Sequence, residues 1–284
     1  MYMYKRKPEL VILSDIHLGT YGCHARELLN YLKSISPETL ILNGDIVDFW
    51  SLKKSSFPKS HVEVLDTLIQ MTYQGTKIYY ITGNHDDVLR QISNFSLGNI
   101  NLREKLILHL DQKKYWIFHG DVFDTSVTIT PWLAKIGGIS YDWLIRFNRL
   151  INKWRIHTGK ERISLSKSVK NGVKQAVRFV HDFEKIIISQ AIQQQYDYVI
   201  CGHIHTPIIK KVTTSKGEVM YMNSGDWVEN LTSLEYYDGH WSIYEYDDLD
   251  FQVKNPKLTV ESKKAKLAKK SLREKRIKNI LSTK

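Results

Sequence analysis

Five times in this chain a short run of aliphatic, β-branched or aromatic residues breaks off into a polar cluster. The runs are ELVILSDIH (9–17), TLILNGDIVD (39–48), KIYYITGNHDD (77–87), KYWIFHGD (114–121) and YDYVICGHIH (196–205). Apolar residues without alternation are what a strand needs when its sheet is covered on both faces. Between the runs, CHARELLNYLKSI (23–35) and HVEVLDTLIQMTYQG (61–75) read as helices, the second with a glycine at its end. Strand and helix alternate, which predicts a layered α/β fold.

The pattern changes towards the C-terminus. TPIIKKVTTSKGEVMYMNSGDW (206–227) and SLEYYDGHWSIYEYD (233–247) read as hairpins that extend or face the first sheet, the second turning at Asp238-Gly239. Residues 131–195 contain no strand-like run and read as a mostly helical insertion. From about residue 251 the core pattern gives way to Lys-rich sequence. The expected organisation is therefore one domain over 1–250 and a basic tail over 251–284.

Charge separates these regions. The 284 residues carry a net +11. Residues 257–284 hold eleven Lys/Arg against two acids, and residues 124–180 hold eleven against three, so the remainder is mildly acidic. Two basic segments on an acidic body suit an anionic partner, whether nucleic acid, acidic lipid or a phosphorylated substrate; a solvated helix face and a disordered tail explain them equally well. No apolar run approaches the roughly 18 residues of a membrane span. MYMYKRKPEL lacks the apolar core of a secretory signal, and Cys23 and Cys201 fit no zinc or redox spacing. The expectation is a reduced cytoplasmic protein, peripheral on the inner face of the membrane if the basic segments bind lipid.

In open α/β sheets, ligands bind beyond the carboxyl ends of the strands. Here those ends carry Asp15 and His17, Asp45, Asn84 with His85 and Asp86, His119 with Asp121, and His203 with His205. Each cluster alone has a plainer explanation. Asp after a strand caps helices, and GNHD favours a turn. Together they supply carboxylate, imidazole and amide oxygen without thiolate, the ligand set of a divalent metal, in numbers too large for one ion. Two ions roughly 3.5–4 Å apart can share a carboxylate and clamp the attacking and leaving oxygens of a phosphoryl transfer.

DIH (15–17), GDIVD (44–48), GNHD (83–86), HGD (119–121) and GHIH (202–205) resemble, in order, the motifs of the calcineurin-like metallophosphoesterases, over roughly residues 9–230. The resemblance implies a sandwich of two mixed β-sheets flanked by helices, with a helical insertion as a lid. It places a first metal on Asp15, His17, Asp45 and His205, and a second on Asp45, Asn84, His119 and His203. It makes His85 the general acid, and Asp86 the group that orients and polarises it. Manganese is the first choice of ion, with iron or zinc as alternatives.

GDIVDFW is similar to the matching stretch of the UDP-2,3-diacylglucosamine diphosphatases, which split a pyrophosphate to 2,3-diacylglucosamine 1-phosphate and UMP and cradle acyl chains in a helical insertion at this place. The insertion here (131–185) interleaves Trp132, Leu133, Ile136, Trp143, Leu144, Phe147, Leu150, Ile151 and Trp154 with Lys and Arg. That combination suits a lipid interface and equally an ordinary helical hairpin. Candidate substrate contacts are Trp50, Trp143, Phe147 and Arg149. The best-known diphosphatases have Gly-Asn-Arg-Asp where this chain has Gly-Asn-His-Asp, so His85 sides with the wider superfamily. Two alternatives stand: a phosphodiesterase acting on nucleic acid or nucleotides, and a membrane- or partner-binding scaffold with vestigial metals. The scaffold would bind through the tail, where Leu267, Leu272, Ile277, Ile280 and Leu281 lie among lysines. Asn223, Ser224 and Asp226 also fall near the expected site and carry no assigned role.

Overall fold

The computed structural model describes residues 5–52, 57–126 and 165–251. The described residues up to Tyr246 form one compact unit, and those from Asp247 belong to a second. Most of the insertion, with Trp132, Trp143, Phe147 and Arg149, and the basic tail lie outside the described residues.

The first unit is built on two mixed sheets. The larger has seven strands in the order β12-β11-β1-β2-β3-β5-β4, and the smaller five in the order β6-β7-β8-β10-β9. Each of the five apolar runs forms a strand: β1 Leu10–Leu13, β2 Thr39–Asn43, β3 Lys77–Ile81, β7 Lys113–Phe118 and β8 Tyr198–Cys201. β1, β2 and β3 are mutually parallel, as are β7 and β8. All five therefore send their carboxyl ends in common directions within their sheets. β1 is buried along its whole length, as its unbroken apolar sequence requires.

Both expected hairpins form. β9 (Ile208–Thr214) and β10 (Gly217–Asn223) close the smaller sheet. β11 (Thr232–Tyr237) and β12 (His240–Glu245) extend the larger one through β1. The second turn is Asp238-Gly239, both with positive φ, the backbone that a two-residue hairpin needs to match strand twist. Three strands lie outside the sequence expectations: β4 Ser96–Leu97, β5 Ile100–Arg103 and β6 Lys105–Leu110. β6 is half-buried and alternates in exposure, and β4 has two residues, so neither shows the continuous apolar signature.

Helices cover the outer faces. α1 (Ala25–Ser34) buries Ala25, Leu28, Leu29, Tyr31 and Leu32, one stripe at helical spacing. α2 is the single turn Phe49–Leu52 after β2. α3 (Lys59–Tyr73) buries His61, Val64, Leu68 and Met71, and α4 (Leu165–Gln193) forms the later part of the expected helical stretch 131–195. One core lies between the larger sheet and α1 with α3, including Val11, Leu28, Leu42 and Val64. A second lies between the sheets, around Ile12, Ile41, Ile117 and Ile200. The third joins the smaller sheet to α4 through Phe183, Ile187, Val199 and Tyr221. The result is the expected α/β sandwich.

Candidate metal centre

The polar clusters sit immediately beyond these strand ends, and the backbone there is bent hard. Asp15, His17, Asp45, His203 and His205 all have φ between 50° and 66°. They make up five of the eleven non-glycine residues with positive φ among those described. Such a conformation costs roughly 1–2 kcal/mol per residue, so its concentration here marks a functional site rather than a convenient turn. Two motif glycines exist for close approach. Gly44 has a positive φ, and a Cβ on it would overlap the His119 ring; a Cβ on Gly83 would strike Asp45 Oδ1.

Three groups of ligand-type atoms result. Asp15, His17 and His205 form one, Asp45, His119 and His203 a second, and His17, Asp48 and His85 a third, each within 4.8 Å. Asp45 Oδ2 stands between the first two, 3.3 Å from His119 Nε2 and 3.9 Å from His17 Nε2. His205 Nε2 lies 3.1 Å from Asp15 Oδ1, off the direction of a well-formed hydrogen bond.

Five buried side-chain polar atoms among the described residues make no hydrogen bond, and three of them are Asp15 Oδ1, Asn84 Oδ1 and His119 Nε2. A fourth, Asn43 Oδ1, lies on the residue whose carbonyl receives His119 Nδ1–H at 2.9 Å. Leaving a buried acceptor unmade costs about 1–3 kcal/mol, and nearly all such atoms in folded proteins are paired. Asp15 Oδ1 and His119 Nε2 lie 4.0 Å apart, and unpaired atoms so placed are what an ion would satisfy. The donor set fits a divalent cation.

Electrostatics points the same way. Burial raises a carboxyl, but His205 and His119 outweigh it at Asp15 and hold its pKa at about 2. At Asp45 burial is likewise overcome, by His119 and His17, and the pKa falls further. Burial depresses the His119 imidazole; Asp45 and Asp15 override it and raise the pKa to about 10. His205, beside Asp15, goes up to about 9 against the same burial penalty. The centre keeps its carboxylates ionised and demands positive charge.

His85 departs from one expectation. Its Nδ1 pairs with Asp48 Oδ2 at 2.9 Å, and its backbone N–H donates to Asp45 Oδ1 at 2.8 Å. Asp86, expected to orient the ring, turns away from it. Asp86 accepts from Gly83 N–H (2.5 Å), Ile46 N–H (2.9 Å) and the Tyr80 hydroxyl (2.6 Å), fully buried. It staples the GNHD loop to the GDIVD loop, and Asp48 takes the place beside the histidine. Burial of Asp48 is outweighed by His17, the Ser51 amide and His85, which leave its carboxyl well below the usual range. Asp48 Oδ1 also caps α2 by accepting Ser51 N–H at 2.8 Å.

Trp50, on α2, lies 4.9 Å from His85 between ring centroids and is 57% exposed, so it borders the site as a substrate contact would. Asn223 donates to Gly202 O, Ser224 bonds Ser14, and Asp226 accepts from Val228 N–H, while the next residue, Trp227, donates its N–H to Asp15 O. These three support the loops that carry Asp15 and His203. Two neighbours went unassigned in the sequence. Asp48 was visible as the second acid of GDIVD; Asp124, whose Oδ1 lies 2.7 Å from His203 Nε2, had no motif to mark it.

Residues 9–207 match the model of the calcineurin-like phosphoesterases, and the chain belongs to that family. It is a metal-dependent hydrolase of phosphoester bonds. Among curated proteins it is 25% identical over 245 residues to a UDP-2,3-diacylglucosamine hydrolase of Aliivibrio fischeri (strain MJ11), covering 83% of this chain and 98% of the relative. A protein of the same name from Histophilus somni (strain 2336) is 28% identical over 231 residues, covering 78% and 94%. Among solved structures, an archaeal phosphodiesterase is 16% identical, with a TM-score of 0.39 over 83% of this chain and 98% of that one. No helix among the described residues is long and apolar enough to cross a membrane.

Proposed function

We propose that the protein hydrolyses the pyrophosphate of UDP-2,3-diacylglucosamine, releasing UMP and 2,3-diacylglucosamine 1-phosphate. The observation that carries the chemistry is that two groups of ligand atoms face one another across Asp45, beside a histidine held by a carboxylate. The substrate rests on curated relatives that match along nearly their whole length. They favour a diphosphate-linked lipid precursor over nucleic acid and over a scaffold.

Asp15, His17, Asp45 and His205 would hold one ion, and Asp45, Asn84, His119 and His203 the other, with manganese the first choice. When bound, the pair supplies Lewis acidity to the phosphoryl oxygens and makes hydroxide available near neutral pH. The protein does the rest. Asp48 fixes the His85 ring through Nδ1, which leaves Nε2 to carry a proton to the departing phosphate oxygen. Trp50 lines the same rim and gives the uridine or sugar a flat surface. Residues 131–185 would cover the acyl chains, and with the tail over 251–284 give peripheral contact with an anionic membrane.

Incubating the protein with manganese and UDP-2,3-diacylglucosamine, with bis-(p-nitrophenyl) phosphate alongside, tests this. UMP release that stops with chelator is expected. Nitrophenol release without UMP would keep the phosphoesterase and remove the lipid substrate.

A further inference from the structure

The two histidines of the Asp45 group are anchored through their outward nitrogens, but by different acceptors. His119, fully buried, donates Nδ1–H to the carbonyl of Asn43. His203, at the edge of the centre, has Nε2 on the carboxylate of Asp124 at 2.7 Å. Its backbone N–H is tied to Asp15 Oδ2 at 3.0 Å, and its φ is 66°. Both the main chain and the ring of His203 are thus fixed, and Nδ1 is the nitrogen left for an ion.

We propose that Asp124 is a positioning residue for the second metal: it selects the His203 tautomer with the proton on Nε2, aims Nδ1 at the ion and raises its basicity. This rests on the two-metal reading above. A carboxylate behind a ligating imidazole does all three, and removing such a partner lowers metal affinity about 10–100-fold. The choice of acceptor matches exposure. His119 lies in the protein's interior, where a neutral carbonyl suffices. His203 is 14% exposed, where water competes for the ring nitrogen, and a charged acceptor competes better.

The position of Asp124 adds a consequence. It lies on the 3₁₀ turn Asp121–Ser126, just before residue 127. Near the end of the insertion, Phe183 of α4 packs its ring 6.0 Å from that of His203. Asp124 and Phe183 are thus both neighbours of the same imidazole.

The test is a calorimetric titration of the full-length, chelator-stripped protein with manganese, in wild type, Asp124→Ala and Asp124→Asn. Wild type should take up two ions; fewer would overturn the two-metal reading and this inference with it. Asp124→Ala should weaken one step about 10–100-fold and leave the other unchanged. Asp124→Asn, whose side-chain carbonyl still accepts Nε2–H, should recover most of the loss. Two wild-type-like steps in Asp124→Ala, or equal weakening of both, would overturn the positioning role alone. If the alanine variant does not fold, Asp124→Ser, whose hydroxyl is too short to reach Nε2, takes its place in the titration. One weakened step supports the role, and two wild-type-like steps overturn it.

Discussion

Two buried polar clusters flank the same sheet, and they are finished to different standards. At the strand ends, Asp15 Oδ1, Asn84 Oδ1 and His119 Nε2 have no hydrogen-bond partner. Under α1, the side-chain oxygens of Glu235, Tyr31 and Ser233 are all paired, with Trp227 Nε1 the one unpaired polar atom beside them among the described residues. Glu235 of β11 accepts the Tyr31 hydroxyl (2.7 Å) on one oxygen and Arg6 Nη1 (2.5 Å) on the other, and Tyr31 in turn receives the Ser233 hydroxyl (2.7 Å). Burial and the Glu235 charge push the Tyr31 phenol well up, so it remains a donor. The backbone differs too: the first cluster rides on left-handed residues, whereas Ser233 and Glu235 lie in a regular antiparallel ladder. A saturated network ties elements together; an unsaturated, strained one is kept for what it will bind. The first should therefore answer mutation in activity, and the second in stability.

The sharpest break would come at Asp45, whose carboxylate faces both groups. Asp45→Ala should lose both ions and fall to background turnover, measured by metal analysis and UMP release on the same sample. A variant retaining a full pair would end the bridging role. His85→Ala comes next, with a drop of about 10²–10⁴ in kcat, the usual worth of a general acid, at unchanged metal content. Loss of metal along with activity would make His85 a ligand instead.

Asp48→Asn should cost less. It keeps an oxygen to cap Ser51 N–H but gives up the charge behind His85. A fall of about 10–100-fold is expected, equivalent to the roughly 1.5–3 kcal/mol of a hydrogen bond to a charged group. A rate equal to that of wild type would return the orienting role to some other residue.

This residue also shows how far the sequence could be read. The clustering of Asp15, His17, Asp45, His119, His203 and His205 was legible because each follows an apolar run within a few residues, a local pattern. Asp48 and Asp86 stand at equivalent distances from their strands, and only the three-dimensional crossing of two loops decides which one meets His85. Asp124 is further from legibility still, since its partner is 79 residues away and no periodicity links them. The same limit applied to the fold. Buried strands announce themselves by composition, while β4, β5 and β6 are short or half-exposed and are held by their neighbours in the sheet.

The smallest effect on turnover should come from the other cluster. Glu235→Ala removes the acceptor shared by Tyr31 and Arg6. Tyr31 is buried and keeps only its bond from Ser233, so its own proton loses a partner. Arg6 is half-exposed, with 43% of its side chain open to solvent, and regains water. The loss should therefore fall below the roughly 3–5 kcal/mol of a fully buried broken pair. About 2 kcal/mol is expected, with Tm lower by about 4–8 °C for a domain of this size. The kcat at 25 °C should not change. Differential scanning calorimetry and UMP release on the same preparation check both halves. An unaltered Tm would mean that the saturated network holds little together. A lowered kcat in the folded variant would mean that the two clusters communicate through the β1–β11 ladder that separates them.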